Sequence, residues 1–137
     1  MKNNPRIHIP IFGNGDIDSP EKALEYRNTY GVDAIMIGRA AIGYPWIFNE
    51  IKHYFATGEL LPSPTISDRV EATKNHLLWS VEWKGERQGV LEMRRHYANY
   101  FKGIPNFKEH RQRLVTLDSS EEIIRELEVV RELKREV

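Results

Sequence analysis

Two apolar runs, each stopping at a glycine turn, constrain this chain most: residues 9–12 before Gly13-Asn14-Gly15-Asp16, and residues 34–37 before Gly38-Arg39-Ala40-Ala41. Between them lies a helix signal, with Ser19 as N-cap, Pro20 at the first helical position, Glu21 behind it and Gly31 as the stop. A strand–helix–strand order of this length predicts a parallel pair with a right-handed crossover, which brings both strand C-termini to one edge. The turns at 13–16 and 38–41 then become neighbours. Glycine lets a backbone approach a ligand closely, a helix start offers unpaired N–H groups, and an arginine adds positive potential, so two such turns together suit a phosphate. Either turn alone is equally ordinary punctuation, with Arg39 capping a carbonyl and Asp16 serving as a turn residue.

The consecutive apolar residues Ile35, Met36 and Ile37 predict a strand covered on both faces. The helix before it should bury Ala23, Leu24 and Tyr26 or Tyr30. After a short turn at Gly38, a second helix begins at Tyr44-Pro45-Trp46, spaces apolar residues at 47, 48, 51, 54 and 55, and closes at Gly58. Leu61-Pro62-Ser63-Pro64-Thr65 is the one convincing linker, because its prolines are stiff and cannot extend a helix.

Beyond the linker the pattern is helical. One helix starts at Ser67 with Asp68 and runs past Trp79 and Trp83 to Gly85. A second is predicted from about Glu86 to Lys102, stopped by Gly103-Ile104-Pro105, and a third covers 108–114. The last begins in a capping box at Asp118-Ser119-Ser120-Glu121-Glu122. Four helices with short joints predict a small bundle, with Trp79, Trp83 and Tyr97 in its core.

Total charge excludes little, since 20 basic side chains balance 20 acidic ones. Its distribution says more. Residues 84–114 hold eight basic side chains against three acidic, whereas 115–137 hold four basic against seven acidic. On the predicted second helix Arg87, Arg94, Arg95 and Lys102 form a stripe beside aromatic residues. Such a stripe suits an RNA backbone, and it is also what a plain solvated face looks like. His96 adjoins it as either an RNA contact or a packing residue. The absence of cysteine removes disulfides, thiolate metal sites and thiol nucleophiles. His53, His76 and His110 are too dispersed for a metal site, so no metal is expected. No apolar run reaches membrane-span length and no signal-peptide pattern opens the chain, so a cytoplasmic location with no membrane partner is expected.

The combination of Asn14-Gly15-Asp16-Ile17, Gly38-Arg39-Ala40 with Tyr44-Pro45-Trp46-Ile47-Phe48, Gly58-Glu59, and Met93-Arg94-Arg95-His96 with Gly103-Ile104-Pro105 resembles the C-terminal part of bacterial tRNA-dihydrouridine synthases of the B type. The resemblance runs from about Ile9 to Leu117. It implies an FMN-binding (β/α)₈ TIM barrel followed by a helical tRNA-binding domain, in an oxidoreductase that uses NADPH to reduce FMN and thereby the C5–C6 bond of uridine in tRNA. It implies FMN contacts, chiefly at the phosphate end, for Asn14, Gly15, Asp16, Gly38 and Arg39, and tRNA contacts for Arg87, Arg94 and Arg95.

The expected architecture is therefore an α/β piece, comprising the last two βα units of a flavin-binding barrel over residues 1–61. A linker at 62–66 and an all-α helical-bundle domain at 67–137 complete it, and the whole is mostly helical. A full barrel needs roughly 250 residues, and the family's catalytic cysteine has no counterpart here. The chain is thus expected to be a C-terminal fragment, with no catalytic residue of its own, inactive alone and without bound FMN. Strands cut from a barrel are also expected to self-associate through residues 7–12 or 34–37. Two other readings remain: a fragment of another FMN-dependent TIM-barrel oxidoreductase such as a dihydroorotate dehydrogenase, and a stand-alone RNA-binding helical module.

Overall fold

A computed structural model describes residues 4–133. The chain divides into two compact units, Met1–Pro62 and Ser63–Val137.

In the first unit, β1 (Phe12–Gly13) pairs in parallel with β2 (Ala34–Ile35), placing Phe12 opposite Ala34 and Gly13 opposite Ile35. The Met36 N–H donates to the Gly13 carbonyl at 2.8 Å, and the Asp33 carboxylate accepts from the Ile11 N–H at 2.8 Å. The crossover is α1 (Pro20–Tyr30). Its N-terminus is held by the Ser19 hydroxyl, which accepts from the Lys22 N–H at 3.2 Å, and Gly31 ends it in the left-handed region. A three-residue 3₁₀ turn, Arg39–Ala41, precedes α2 (Ile47–Thr57). Ile17, Ala23, Ile47 and Ile51 form the core, with Tyr26, Ile35, Ile37 and Phe55 partly buried against it.

The strands are shorter than the sequence predicts, and β2 is not covered on both faces. Met36 is 54% exposed, as are Ile9 at 70% and Phe12 at 66%. The reason is geometric: each strand has a single neighbour, so pairing ends where the one-sided ladder ends. Tyr30 is also exposed, leaving Ala23, Leu24 and Tyr26 as the buried side of α1.

The second unit contains α3 (Ile66–Lys84), α4 (Glu86–Met93), α5 (Tyr97–Tyr100), α6 (Lys108–Leu114) and α7 (Ser120–Arg131). The start of α3 lies one position before the predicted Ser67. Thr65 is the N-cap, in a reciprocal capping box: its hydroxyl accepts from the Asp68 N–H at 3.1 Å, and the Asp68 carboxylate accepts from the Thr65 N–H at 2.8 Å. Gly85 alone joins α3 to α4, at φ 82°, a conformation that side chains resist.

The single helix predicted from 86 to 102 is interrupted. At residues 94–96 the bonding tightens to i→i−3, with the Arg94 N–H donating to Leu91 O and the His96 N–H to Met93 O at 2.9 Å. Beyond this turn Tyr97, Tyr100 and Phe101 are all buried. The buried Arg69 guanidinium, donating to the Tyr100 carbonyl at 2.9 Å, braces α5 from α3.

The predicted capping box of α7 is also replaced. Ser119 makes no side-chain cap; instead the Glu86 carboxylate, at the start of α4, accepts from the Ser120 N–H at 2.6 Å and its hydroxyl at 3.0 Å. A carboxylate supplied by another helix satisfies the same orphan donors. Along the α3–α7 seam Glu128 accepts from Arg131 at 2.8 Å and from Lys74 at 2.7 Å, which together hold its carboxyl down at about 2.

Trp79 and Trp83 are not in the core. They are 63% and 84% exposed, while Tyr97 is fully buried. The buried stripe of α3 passes through Val70, Thr73 and Leu77. Trp79 and Trp83 lie roughly 200° and 240° around the helix from Leu77, out of phase with that stripe.

Candidate functional site

The parallel pairing of β1 with β2 places the two glycine turns side by side. Asn14, Asp16, Gly38, Arg39 and Ala40 line one open cleft of about 290 Å³. Gly15 is not among its lining residues; a Cβ there would stand 3.2 Å from the Tyr26 ring, so this glycine serves the packing of the turn on α1. At Gly38 a Cβ would meet no atom within 4 Å, which leaves the backbone open to whatever approaches the cleft.

Asp16 is held at φ 50°, uncommon for a residue with a side chain. Its carboxylate accepts from Arg39 at 2.6 and 2.7 Å through Nη2 and at 3.2 Å through Nε. The pair is exposed, 67% and 81%. The Arg39 hydrogen bonds and charge hold the Asp16 carboxyl below the usual range, and Asp16 in turn raises Arg39. Lys22 reaches the Asp16 carbonyl at 2.8 Å, so two cations border the turn. The Arg39 guanidinium beside the open backbone at Gly38 is chemically suited to a phosphate group.

The three arginines of the predicted stripe do not share one environment. Arg87 on α4 and Arg95 in the 94–96 turn are exposed. Arg94 turns inward, donating to Asp118 Oδ1 at 3.0 Å and to the Leu117 carbonyl at 3.3 Å, and so pins the joint between α6 and α7.

Comparison with known sequences decides the family. A family model described as dihydrouridine synthase (Dus) matches residues 2–137. The chain belongs to the dihydrouridine synthase family. It is 44% identical over 115 residues to tRNA-dihydrouridine synthase B of Pseudomonas putida, covering 84% of this chain and 34% of that protein. With tRNA-dihydrouridine synthase B of Xanthomonas campestris pv. campestris the identity is 46% over 105 residues, 77% of this chain and 32% of the relative. The probable tRNA-dihydrouridine synthase 1 of a Synechocystis strain is 37% identical over 116 residues, 85% of this chain and 32% of the relative. The chain thus spans about a third of the length of the curated relatives it matches.

Among the described residues no group of His, Cys, Asp or Glu is placed to hold a metal ion, and no helix is long and apolar enough to cross a membrane. His110 is taken up by Glu126, 2.7 Å from its Nδ1, and His76 by the Tyr100 hydroxyl at 2.9 Å.

The two tryptophans expected in the bundle core instead stand exposed on α3 and border a cleft that also contains His76 and His96. The signal was present in the helical phase, because a Trp pair at i, i+4 that falls off the buried stripe faces outward.

Proposed function

We propose that this chain is the C-terminal portion of an FMN-dependent tRNA-dihydrouridine synthase, carrying one wall of the flavin site and part of the tRNA-binding surface. The observation that carries the reading is the meeting of Asn14, Asp16, Gly38 and Arg39 in one cleft at adjacent parallel strand ends, in a chain of this family. In this reading β1 and β2 are the last two strands of a (β/α)₈ barrel, whose final loops are a frequent phosphate site. Arg39 and the backbone at Gly38 would hold the FMN phosphate, with Asn14 and Asp16 bounding it and Gly15 seating the turn on α1.

Bound there, FMN would supply the reducing equivalents for the C5–C6 bond of uridine, with NADPH as the reductant. The residues of this chain bind and orient rather than transfer protons. Its sequence contains no cysteine, so the proton donor implied by the family resemblance is not among its residues, and the chain alone is inactive. The exposed Arg87 and Arg95 would meet tRNA phosphates, with Arg94 acting mainly by fixing the α6–α7 joint.

The test has two arms. In an intact parent enzyme Arg39→Ala should release FMN while leaving the melting temperature nearly unchanged, and an unaltered flavin content refutes the phosphate assignment. The 137-residue chain should retain tRNA with an affinity that falls steeply with salt. Measurable flavin-dependent turnover by this chain alone would overturn the fragment reading.

A further inference from the structure

On α3, His76, Trp79, Ser80 and Trp83 succeed one another at helical spacing and form one wall of a cleft of about 240 Å³. The other wall comes from Glu92 and Met93 at the end of α4 and from Arg95 and His96 in the turn that follows. The interruption of the helix at 94–96 is therefore a structural part of this cleft. The His76 and His96 rings lie 4.8 Å apart, and Arg95 Nε donates to His96 Nε2 at 3.3 Å.

Three features define what this cleft accepts. Its indoles are 63% and 84% exposed, large apolar planes that a folded chain seldom leaves to water without a use. Its volume falls below the roughly 300–1,000 Å³ of a complete small-molecule site, and a single flat ring suits it better. Its rim is polar and cationic. Lys84 is bonded to Glu92, whereas Arg95 forms no salt bridge among the described residues. Burial, with the nearby charges of Lys84 and Arg95, holds His76 below the usual histidine range. His96 is lowered by burial, His76 and Arg95, with Glu92 opposing. Both rings are therefore mainly neutral at pH 7, and with His76 Nδ1 on the Tyr100 hydroxyl and His96 Nε2 accepting from Arg95, each keeps one ring nitrogen for the edge of a base.

Tryptophan and arginine also anchor protein partners, but there in well-packed, fully desolvated pockets. Here Trp79, Trp83 and Met93 are the apolar members among nine lining residues. The stretch 84–114, which contributes Arg95, is the basic one. Aromatic planes beside an available guanidinium are the combination by which unpaired nucleotides are held, the base by stacking and the phosphate by charge.

We propose that the α3–α4 cleft is a receptor for one unpaired RNA nucleotide, its base stacked on Trp79 and Trp83 and its phosphate paired with Arg95. This rests on the RNA-binding reading above and adds, beside its Arg95 phosphate contact, a base-stacking site that the arginine stripe does not contain.

The experiment uses the full 137-residue chain in a Trp46→Phe background, so that fluorescence reports only the two α3 indoles. Titration with single-stranded oligouridylate and with tRNA should quench that emission. Trp79→Ala and Trp83→Ala should each weaken tRNA binding about five-fold to a hundred-fold, the span of a lost base stack. The slope of log K against log salt should stay unchanged, because stacking releases no counterion. Trp83→Phe should recover most of the affinity. Arg95→Gln should instead reduce the salt slope by about one. Trp83 is the more exposed of the pair, so its replacement keeps the test free of folding effects, and a thermal melt of each variant verifies this.

If both alanine variants bind tRNA as the parent does, with the salt slope still steep, the indoles serve a protein surface. The nucleotide site is then refuted while the RNA reading stands. If the chain retains no tRNA at any salt, both fall.

Discussion

Gly89 sits inside α4, where helix propensity alone favours alanine by about 1 kcal/mol. The structure reverses that expectation. A Cβ built on Gly89 would lie 2.6 Å from Val81 Cα, 2.7 Å from Val81 N and 2.8 Å from the Ser80 carbonyl carbon. Ordinary contact between such atoms is about 3.5–4.0 Å. All three obstacles are backbone of α3 and cannot rotate away, so α3 and α4 must separate by about an ångström. That movement also stretches the bond from the Ser80 hydroxyl to the Gly89 carbonyl, now 3.1 Å.

Overpacking costs typically about 1–3 kcal/mol, and occasionally more, with clashes against backbone at the upper end. After subtracting the propensity gain, Gly89→Ala should destabilise the second unit by about 2 kcal/mol. For a unit of this size that corresponds to roughly 8–16 °C in melting temperature. Urea and thermal melts followed by tryptophan emission measure it, with the exposed neighbour Gln88→Ala as a control expected within about 0.5 kcal/mol of the parent. An unchanged or raised midpoint for Gly89→Ala would show that the two helices do not meet at this glycine.

Three other outcomes follow from the second unit. His76 and His96 are held below the usual histidine range, chiefly by burial, so the unfolded chain binds protons near pH 6.5 that the folded chain does not. Stability should be complete above about pH 6.5 and fall on acidification toward pH 5, and His76→Gln should flatten urea midpoints between pH 7.5 and 5.5; an unaltered slope contradicts the assignment. The Tyr97 hydroxyl is buried without a hydrogen-bond partner among the described residues, so Tyr97→Phe should be neutral or stabilising by up to about 1 kcal/mol in chemical denaturation, and a loss larger than that refutes it. Arg94→Ala should cost about 1 kcal/mol of stability as well as tRNA affinity, whereas Arg95→Ala should lower affinity alone; equal melting temperatures for the two would restore the common stripe.

Local signals in the sequence located most elements because their causes are local. Ser19, Pro20 and Gly31 bound α1 through their own hydrogen bonds and dihedral angles, and Gly58 and Gly85 end α2 and α3 in the same way. The adjacency of the two glycine turns was also legible, since it follows from crossover geometry. What could not be read depends on partners distant in sequence. Glu86 displaces the local cap of α7 from 34 residues away, and Arg94 leaves its stripe for Asp118, 24 residues on. The break at 94–96 carries no glycine or proline to announce it. Trp79 and Trp83 lie outside the expected core for another reason: residue type suggests burial, but helical phase decides which side of α3 they occupy.

The Asp16–Arg39 pair bears on how an anion could enter the first cleft. Both groups are exposed, and exposed ion pairs contribute little because water solvates the separated charges nearly as well. Arg39 is therefore held in place without being committed. A phosphate carries more charge than one carboxylate and offers more acceptor oxygens to a guanidinium fork, so it can take Arg39 from Asp16 at small cost. Asp16 would then face the incoming anion, a repulsion unless its carboxylate turns aside. Lys22, bonded to the Asp16 carbonyl and close enough to lower the Asp16 carboxyl, provides the neighbouring positive charge toward which it can turn. The carboxylate would then keep the guanidinium extended over the cleft and yield it when a phosphate arrives. Asp16→Asn should then leave phosphate-end binding intact or strengthen it, and marked weakening would mean that Asp16 contacts the ligand directly.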